Sequence, residues 1–393
     1  MVLQNELERS DLMTAIYLDN GATTPLHPKV KEAIIDTLDN FGNPSSIHSY
    51  GRTAYHVMEE ARLTLKTYIH ATAKDQLIFV SGGTESDNTA IMQTAMSRKE
   101  VGKHLITTQV EHPAVLETMR FLETQGFEVT YLPVSQTGEI TVEQVKQALR
   151  PDTILVSMMY TNNETGVMFP IKEVGELLAD HPAYFHTDAV QAFSLESINV
   201  KELKVDFLSA TAHKINGPKG IGLLYVKEGI SLPTLLHGGE QEGKKRPGTE
   251  DITGMHAFAV AASQLDDEEK LRRKELFKEF HHIIKQTLTE AQVDFSVNGS
   301  EEHASPHVLN LWLKGVPNNL MLMRLDLEGF VISTGSACSA GNIDPSHVIE
   351  AMYGKNHPSL DESIRISFGY GNNTEDVTKF AKALASVATQ LKK

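Results

Sequence analysis

The chain has 393 residues, 40% of them apolar and 22% charged, with 36 basic against 51 acidic side chains for a formal charge of −15. At roughly 150 residues per domain this length holds two or three domains with sizeable cores, and the acidic balance gives no electrostatic footprint for nucleic acid or an anionic membrane. A single cysteine, Cys338, excludes an intrachain disulfide framework and fits a reducing compartment, so the expected location is cytoplasmic.

The first residues, "MVLQNELERSDLMT", carry acids and lack an apolar centre, so they do not read as a signal peptide, and no apolar run approaches the ~18 residues a membrane-spanning helix needs. Beyond them strands and helices alternate. Short apolar runs at 77–80, 104–107, 129–132, 154–157, 184–186, 207–208 and 222–226 read as buried strands, with helix-length stretches at 85–97, 113–125, 141–149 and 170–180. That alternation predicts an α/β fold, a largely parallel sheet covered by helices. After about residue 254 the pattern changes to a long, charge-rich helix over about 255–290, then "HVLNLWLK", a helix near 318–329, "VISTGSAC", "SIRISFGY" and a terminal helix. In that last helix Val377, Phe380, Leu384, Val387 and Leu391 recur at steps of three and four, an apolar stripe that faces a core. The expected division is a large domain over 25–254 and a smaller α+β domain made of 1–24 and 255–393.

Three motifs carry chemistry. The stretch "GGEQEGKK" (238–245) begins like a nucleotide P-loop, but Lys245 stands where a hydroxyl should hold magnesium and Pro247 opposes the following helix. "SGGTESDN" (81–88) follows a strand and opens a helix, so Gly83 brings backbone N–H groups close to an anion while Thr84 adds a hydroxyl and the helix adds its dipole. Read alone, it serves equally well as an ordinary strand-to-helix turn. "HTDAVQAF" places Asp188 just past a buried strand, where an isolated carboxylate needs a cationic partner such as a pyridinium nitrogen. "SATAHKINGPKG" places Lys214 at the end of the next strand, where desolvation gives a lysine the depressed pKa that Schiff-base chemistry with an aldehyde requires. A lone Asp or Lys at a strand end is more often a cap or a solvated charge. Together the three supply a phosphate cradle, a ring-nitrogen partner and an aldehyde-capturing lysine, the handles of pyridoxal 5'-phosphate. No CxxC or HExxH motif is present and no metal is expected.

With "YLDNGATTP", "FGNPSSIH", "SGGTESDN", "EHPAV", "NNETGV", "HTDAVQ", "AHKINGPKGIG", "RPGTE", "STGSACSAG" and "SIRISFG" in this order, the chain resembles the cysteine desulfurases, pyridoxal-phosphate enzymes of the class V aminotransferase group, from about Ile16 to about Leu391. The resemblance implies the fold type I of pyridoxal-phosphate transferases, with a mostly parallel seven-stranded sheet in the large domain and a smaller α+β domain. It implies that Lys214 holds the cofactor and moves the Cα proton, that Asp188 keeps the ring nitrogen protonated, and that His112 stacks on the ring and shuttles protons. Gln191 is then the partner of the phenolic oxygen, and Gly83, Thr84, Thr211 and His213 hold the phosphate. Thr249 reaches the phosphate site of the neighbouring subunit in a homodimer. Asn163 and Arg365 fix the substrate carboxylate, Arg365 as a fork that lysine cannot reproduce.

The same resemblance gives Cys338, set in the Gly- and Ser-rich "GSACSAGN", the role of sulfur acceptor. It attacks the sulfur of bound L-cysteine, alanine leaves, and the persulfide passes to an acceptor protein: a cluster scaffold, a tRNA-thiolating enzyme or a relay protein. A selenocysteine lyase, another class V lyase or aminotransferase, and a catalytically inert relay scaffold share much of this pattern. Cys338 speaks against the aminotransferase, and Lys214 with Asp188 and Cys338 against the inert scaffold.

Overall fold

The computed structural model describes residues 15–335 and 345–392, with the backbone of Cys338–Ser339 and Asn342–Ile343 between them. A short strand β1 (Ile16–Tyr17) comes first. The seven apolar runs follow as β2 (Gln76–Val80), β3 (His104–Thr108), β4 (Glu128–Leu132), β5 (Thr153–Met159), β6 (Tyr184–Asp188), β7 (Phe207–Thr211) and β8 (Gly222–Val226), joined in one sheet of order β2-β8-β7-β6-β5-β3-β4. Neighbours from β7 to β4 are parallel, while β8 is antiparallel to both β7 and β2. Every residue of β5 and β7 is buried, as a strand covered by helices on both faces requires. One face packs on helices Gly83–Arg98 and Pro113–Thr124 through Ala90, Ile91, Val115 and Met119. The other packs on Ser49–Tyr68, Ile171–Leu178 and Ile252–Ala262 through Leu65, Val174 and Phe258.

A second core lies around β9 (Phe295–Val297), β10 (Val308–Leu313) and β14 (Ser363–Ser367), an antiparallel sheet of order β14-β10-β9. Helices Asp267–Glu290 and Thr374–Leu391 cover it with Phe280, Ile284, Phe380 and Leu384. In the terminal helix Val377, Phe380, Leu384 and Val387 are fully buried and Leu391 packs at the edge, the stripe its spacing indicates. Strand β1 belongs to this body: it pairs in parallel with β11 (Phe330–Val331), and Leu18 enters the same core. Between β11 and the helix His347–Tyr353, β12 (Cys338–Ser339) and β13 (Asn342–Ile343) form an antiparallel pair.

Two expectations need correction. The helix over 255–290 is two helices, Ile252–Ala262 and Asp267–Glu290, the second begun by Asp266, whose carboxylate accepts the Glu269 N–H at 2.8 Å. The first is largely apolar and puts Met255 and Phe258 in the large core, where Leu265 of the following turn joins them, so the large core draws on residues past 254. The C-terminal region is also not wholly in the small body, because Val348, Ile349 and Met352 pack into the large core. Among the described residues no helix is long and apolar enough to cross a membrane.

Candidate active site

Strands β2, β3, β5, β6 and β7 point the same way, and each delivers a polar group where it ends, as ligand crevices of open α/β sheets are built. The turn after β2 gives Gly83 and Thr84, that after β3 Glu111 and His112, that after β5 Asn163 and Glu164; β6 ends on Asp188, and β7 leads into His213 and Lys214. All of these but Glu111 and Glu164 meet in a cavity of about 560 Å³, closed from the small body by Arg365 and residues 332–335. Gly83, Thr84, His112, Asn163, Asp188, Gln191, Thr211, His213, Lys214 and Arg365 all line it. Thr249 does not: it sits on an exposed stretch after the buried Pro247. Of Cys338 the backbone lies in β12, and its side chain is outside the described residues.

Asp188 is buried and accepts the Val190 N–H at 2.9 Å. Burial pushes its pKa up, while His112, the Val190 N–H and the charge of Lys214 favour the carboxylate. Two residues earlier on β6, the His186 ring bridges Ser157 Oγ at 2.8 Å and Ser209 Oγ at 3.0 Å, and burial pushes its pKa down to about 3, so it is neutral. Asp87 Oδ1 lies 3.6 Å from that ring, and burial, with the nearby Asp188, drives the Asp87 carboxyl well above the usual range. Glu111 is likewise raised by burial, to about 8, though Oε1 accepts from Thr108 Oγ1 at 2.7 Å and Met159 N at 3.1 Å. Of the three buried carboxyls, Asp188 is the one with cationic neighbours, so it is the natural seat of a negative charge facing the cavity.

Lys214 Nζ donates to the carbonyls of Gly21 at 2.5 Å and Ala22 at 2.9 Å. Burial, reinforced by the charge of Arg365, lowers its pKa to about 8, which yields a nucleophilic amine near neutrality. Lys219, the other lysine of its motif, is exposed and lines no part of the cavity. His112 caps helix Pro113–Thr124 by accepting the Ala114 N–H on Nδ1 at 3.1 Å, so the neutral ring carries its proton on Nε2. Desolvation lowers its pKa.

The anion cradle is tight. A Cβ on Gly83 would stand 3.0 Å from Val190 Cγ2, at the first turn of a 16-residue helix. Thr211 Oγ1 donates to Ile221 O at 3.0 Å, and His213 Nδ1 shares a hydrogen bond of 3.1 Å with Thr23 Oγ1; burial lowers the His213 pKa to about 4. Gln191 is fixed at both ends of its amide, Nε2 donating to Gly21 O at 3.0 Å and Oε1 meeting His307 Nε2 at 3.1 Å. Arg365 gives Nη2 to Asp19 Oδ1 at 2.7 Å and Nη1 to Asn163 O at 3.1 Å. Its Nε and the Oδ1 of Asn163 are buried with no hydrogen-bond partner among the described residues. Unpaired polar groups of this kind are costly unless a ligand completes them.

These residues fit pyridoxal phosphate: a helix N-terminus with room for backbone approach suits the phosphate, Asp188 suits a protonated ring nitrogen, Lys214 suits the aldehyde, and two orphaned polar atoms wait beside them. Sequence reasoning missed Asp19, Asp87, Glu111, His186 and His307. Asp87 had a signal, since it lies one helical turn beyond Gly83 and so shares its face. Asp19 stood inside a quoted motif without a stated partner. His307 had none.

The class-V aminotransferase profile matches residues 16–380, and the chain belongs to that family. It is 50% identical over 380 residues to IscS 1 of Bacillus subtilis (strain 168), covering 96% of this chain and 100% of the relative. It is 40% identical over 379 residues to the cysteine desulfurase IscS of Methanosarcina thermophila, covering 96% and 93%. Among solved structures, a NifS-like protein superposes with a TM-score of 0.89 at 30% identity, covering 96% of this chain and 100% of that one. SspA in complex with cysteine gives 0.79 at 35% identity, covering 90% and 98%. Within its family the chain stands among the cysteine desulfurases.

Proposed function

We propose that this protein converts L-cysteine to L-alanine and takes the sulfur onto Cys338 as a persulfide for delivery to an acceptor protein. The observation that carries the reading is the convergence of Lys214, Asp188 and Arg365 on one cavity. Bound pyridoxal phosphate supplies an electron-withdrawing ring joined to amines through its aldehyde carbon. Asp188 would keep its ring nitrogen cationic, His112 would cover the ring, Gln191, held by His307, would serve the phenolic oxygen, and Gly83, Thr84, Thr211 and His213 would hold the phosphate. Arg365 and Asn163 take the substrate carboxylate, for which Arg365 Nε has no other partner among the described residues. Lys214 moves the proton at Cα. The Cys338 thiolate then attacks the substrate sulfur: an S–S bond forms, the Cβ–S bond breaks with its electron pair left on carbon, and a proton completes alanine. A thiol with this duty suits a reducing, cytoplasmic setting.

The working unit is a homodimer. Ile35, Leu38, Phe41, Ile47 and Leu63 are all exposed in one stretch, Ile47 at 92% and Phe41 at 76%, and the Phe41 and Tyr50 rings lie 5.0 Å apart. Scattered exposed apolar residues are normal, but a run of them marks a contact surface. Thr249, exposed and outside its own cavity, is then the residue that reaches the partner's.

The test is to incubate pure protein with L-cysteine and a reductant, measuring alanine and sulfide together. Equal amounts are expected, and Cys338→Ser should abolish sulfide release while cysteine still perturbs the cofactor spectrum, because a hydroxyl is a far weaker nucleophile toward sulfur. Without reductant, the peptide carrying residue 338 should gain one sulfur atom. Sulfide release at the wild-type rate from the serine variant would defeat the reading.

A further inference from the structure

The turn after β5 carries a carboxylate that the chemistry above does not use. Glu164 is 2% exposed. Its backbone is pinned from both bodies: its N–H donates to Asn162 Oδ1 at 2.9 Å, and its carbonyl accepts from Asn310 Nδ2 of β10 at 3.0 Å. The side chain runs toward the segment that contains Cys338 and meets both of its flanks. On the far flank, Glu164 Oε2 accepts the Ser346 hydroxyl at 2.5 Å, and Ser346 Oγ in turn accepts the Ile349 N–H at 3.1 Å, the N-cap of helix His347–Tyr353. Glu164 Oε1 stands 4.0 Å from His347 Nδ1, whose ring reaches the Glu111 carbonyl through Nε2 at 2.9 Å. On the near flank is Gly335, with φ +97°, so close that a Cβ there would fall 2.8 Å from Glu164 Oε2. A positive φ and a carboxylate at that distance both demand glycine. One buried side chain therefore abuts the residues on either side of the catalytic cysteine's segment, next to the Asn163 carbonyl that holds Arg365.

We propose that Glu164 is a positioning residue for Cys338, a clasp on which Gly335 and Ser346 both rest, so that the two ends of the segment between them stay at a fixed separation beside the substrate clamp. Burial pushes the Glu164 carboxyl up, and the Ser346 hydroxyl, His347 and Arg365 pull it back; the hydrogen bond from Ser346 is the direct link.

This proposal rests on the desulfurase reading for its consequence but not for its test, because Cys338 is the only cysteine and its alkylation rate reports on the segment without turnover. Glu164→Ala should change the rate of Cys338 alkylation by iodoacetamide about threefold or more and lower kcat for alanine about tenfold, with KM within about twofold and cofactor absorbance retained. Glu164→Gln, whose amide oxygen still accepts the Ser346 hydroxyl, should stay within about threefold of wild type in both readouts. Gly335→Ala presses a methyl onto the carboxylate besides straining a positive-φ backbone and should disturb alkylation alike; in the Glu164→Ala background only the backbone part should remain, so the combined effect should fall short of the sum. Wild-type alkylation and kcat in Glu164→Ala would overturn the clasp. So would additive effects in the double variant, or an equal loss in Glu164→Gln, which would make the role one of charge beside Arg365. Should Glu164→Ala not fold, the comparison of Gly335→Ala with Gly335→Ala/Glu164→Gln decides: a wild-type alkylation rate in the first overturns the proposal.

Discussion

Arg365 Nη2 donates to Asp19 Oδ1 at 2.7 Å, a bond between residues 346 positions apart. The guanidinium is only 4% exposed, so without Asp19 it would be an uncompensated buried charge. Asp19 leaves Nε without a partner among the described residues, and the planar fork stays oriented while one edge remains for a ligand carboxylate.

Arg365→Lys should therefore raise the concentration of cysteine needed to perturb the cofactor spectrum about tenfold or more, because a lysine cannot serve Asp19, Asn163 and a substrate at once. Cofactor content should not change. Spectral titration with cysteine checks both.

Lys214 sets a pH dependence. With burial lowering its pKa to about 8, the neutral amine that captures an aldehyde is scarce at pH 6, and each unit of pH below 8 cuts it about tenfold. The rate at which stripped protein recovers its yellow colour on adding pyridoxal phosphate should rise with pH and level off above about 8. A rate still climbing tenfold between pH 9 and pH 10 would mean an ordinary lysine.

Glu111 should impose an opposite trend on stability. Its folded pKa, about 8, lies above the ordinary value of about 4.3, so its contribution is full below the ordinary value and is lost as pH rises towards 8. Glu111→Gln keeps the acceptor for Thr108 and Met159 and cannot ionise. Relative to wild type it should gain stability as pH goes from 5 to 8, by up to about tenfold in the folding equilibrium per unit. Urea unfolding midpoints of the two proteins across that range measure it.

The apolar surface makes an assembly prediction. Phe41→Asp combined with Ile47→Asp places charge on the most exposed apolar residues of the 35–63 stretch and should shift the protein to a monomer in sedimentation. Cofactor should then dissociate more readily, since Thr249 no longer completes a neighbour's site. A fully loaded, active monomer would contradict the dimer.

The large sheet was legible in the sequence because strands covered on both faces leave unbroken apolar runs, and all seven appear where those runs lie. Lys214, Asp188 and the Gly83 turn were legible for a related reason: strand ends are where a parallel sheet can afford polar groups. The break between Ala262 and Asp267 was not, because an apolar and a charged helix follow one another with only a four-residue turn, and no glycine or proline marks it. Nor was the pairing of Asp19 with Arg365, which depends on β1 joining a strand at the far end of the chain. The buried Asp87 and Glu111 are pushed upward by burial, with Asp188 adding to it, in a three-dimensional setting that no local pattern reveals.

Strand β1 has a consequence for the order in which the molecule is made. It leaves the ribosome before the large body, yet its partner β11 and the partner of Asp19 are translated only after all seven strands of the large sheet. Domains fold as units while synthesis proceeds, so the sheet bearing Lys214 and Asp188 can form while the first strand is still without its mate. The nascent protein thus acquires Lys214 long before Arg365, and a crevice lined from both bodies exists only once Arg365 has met Asp19 of the first-made segment.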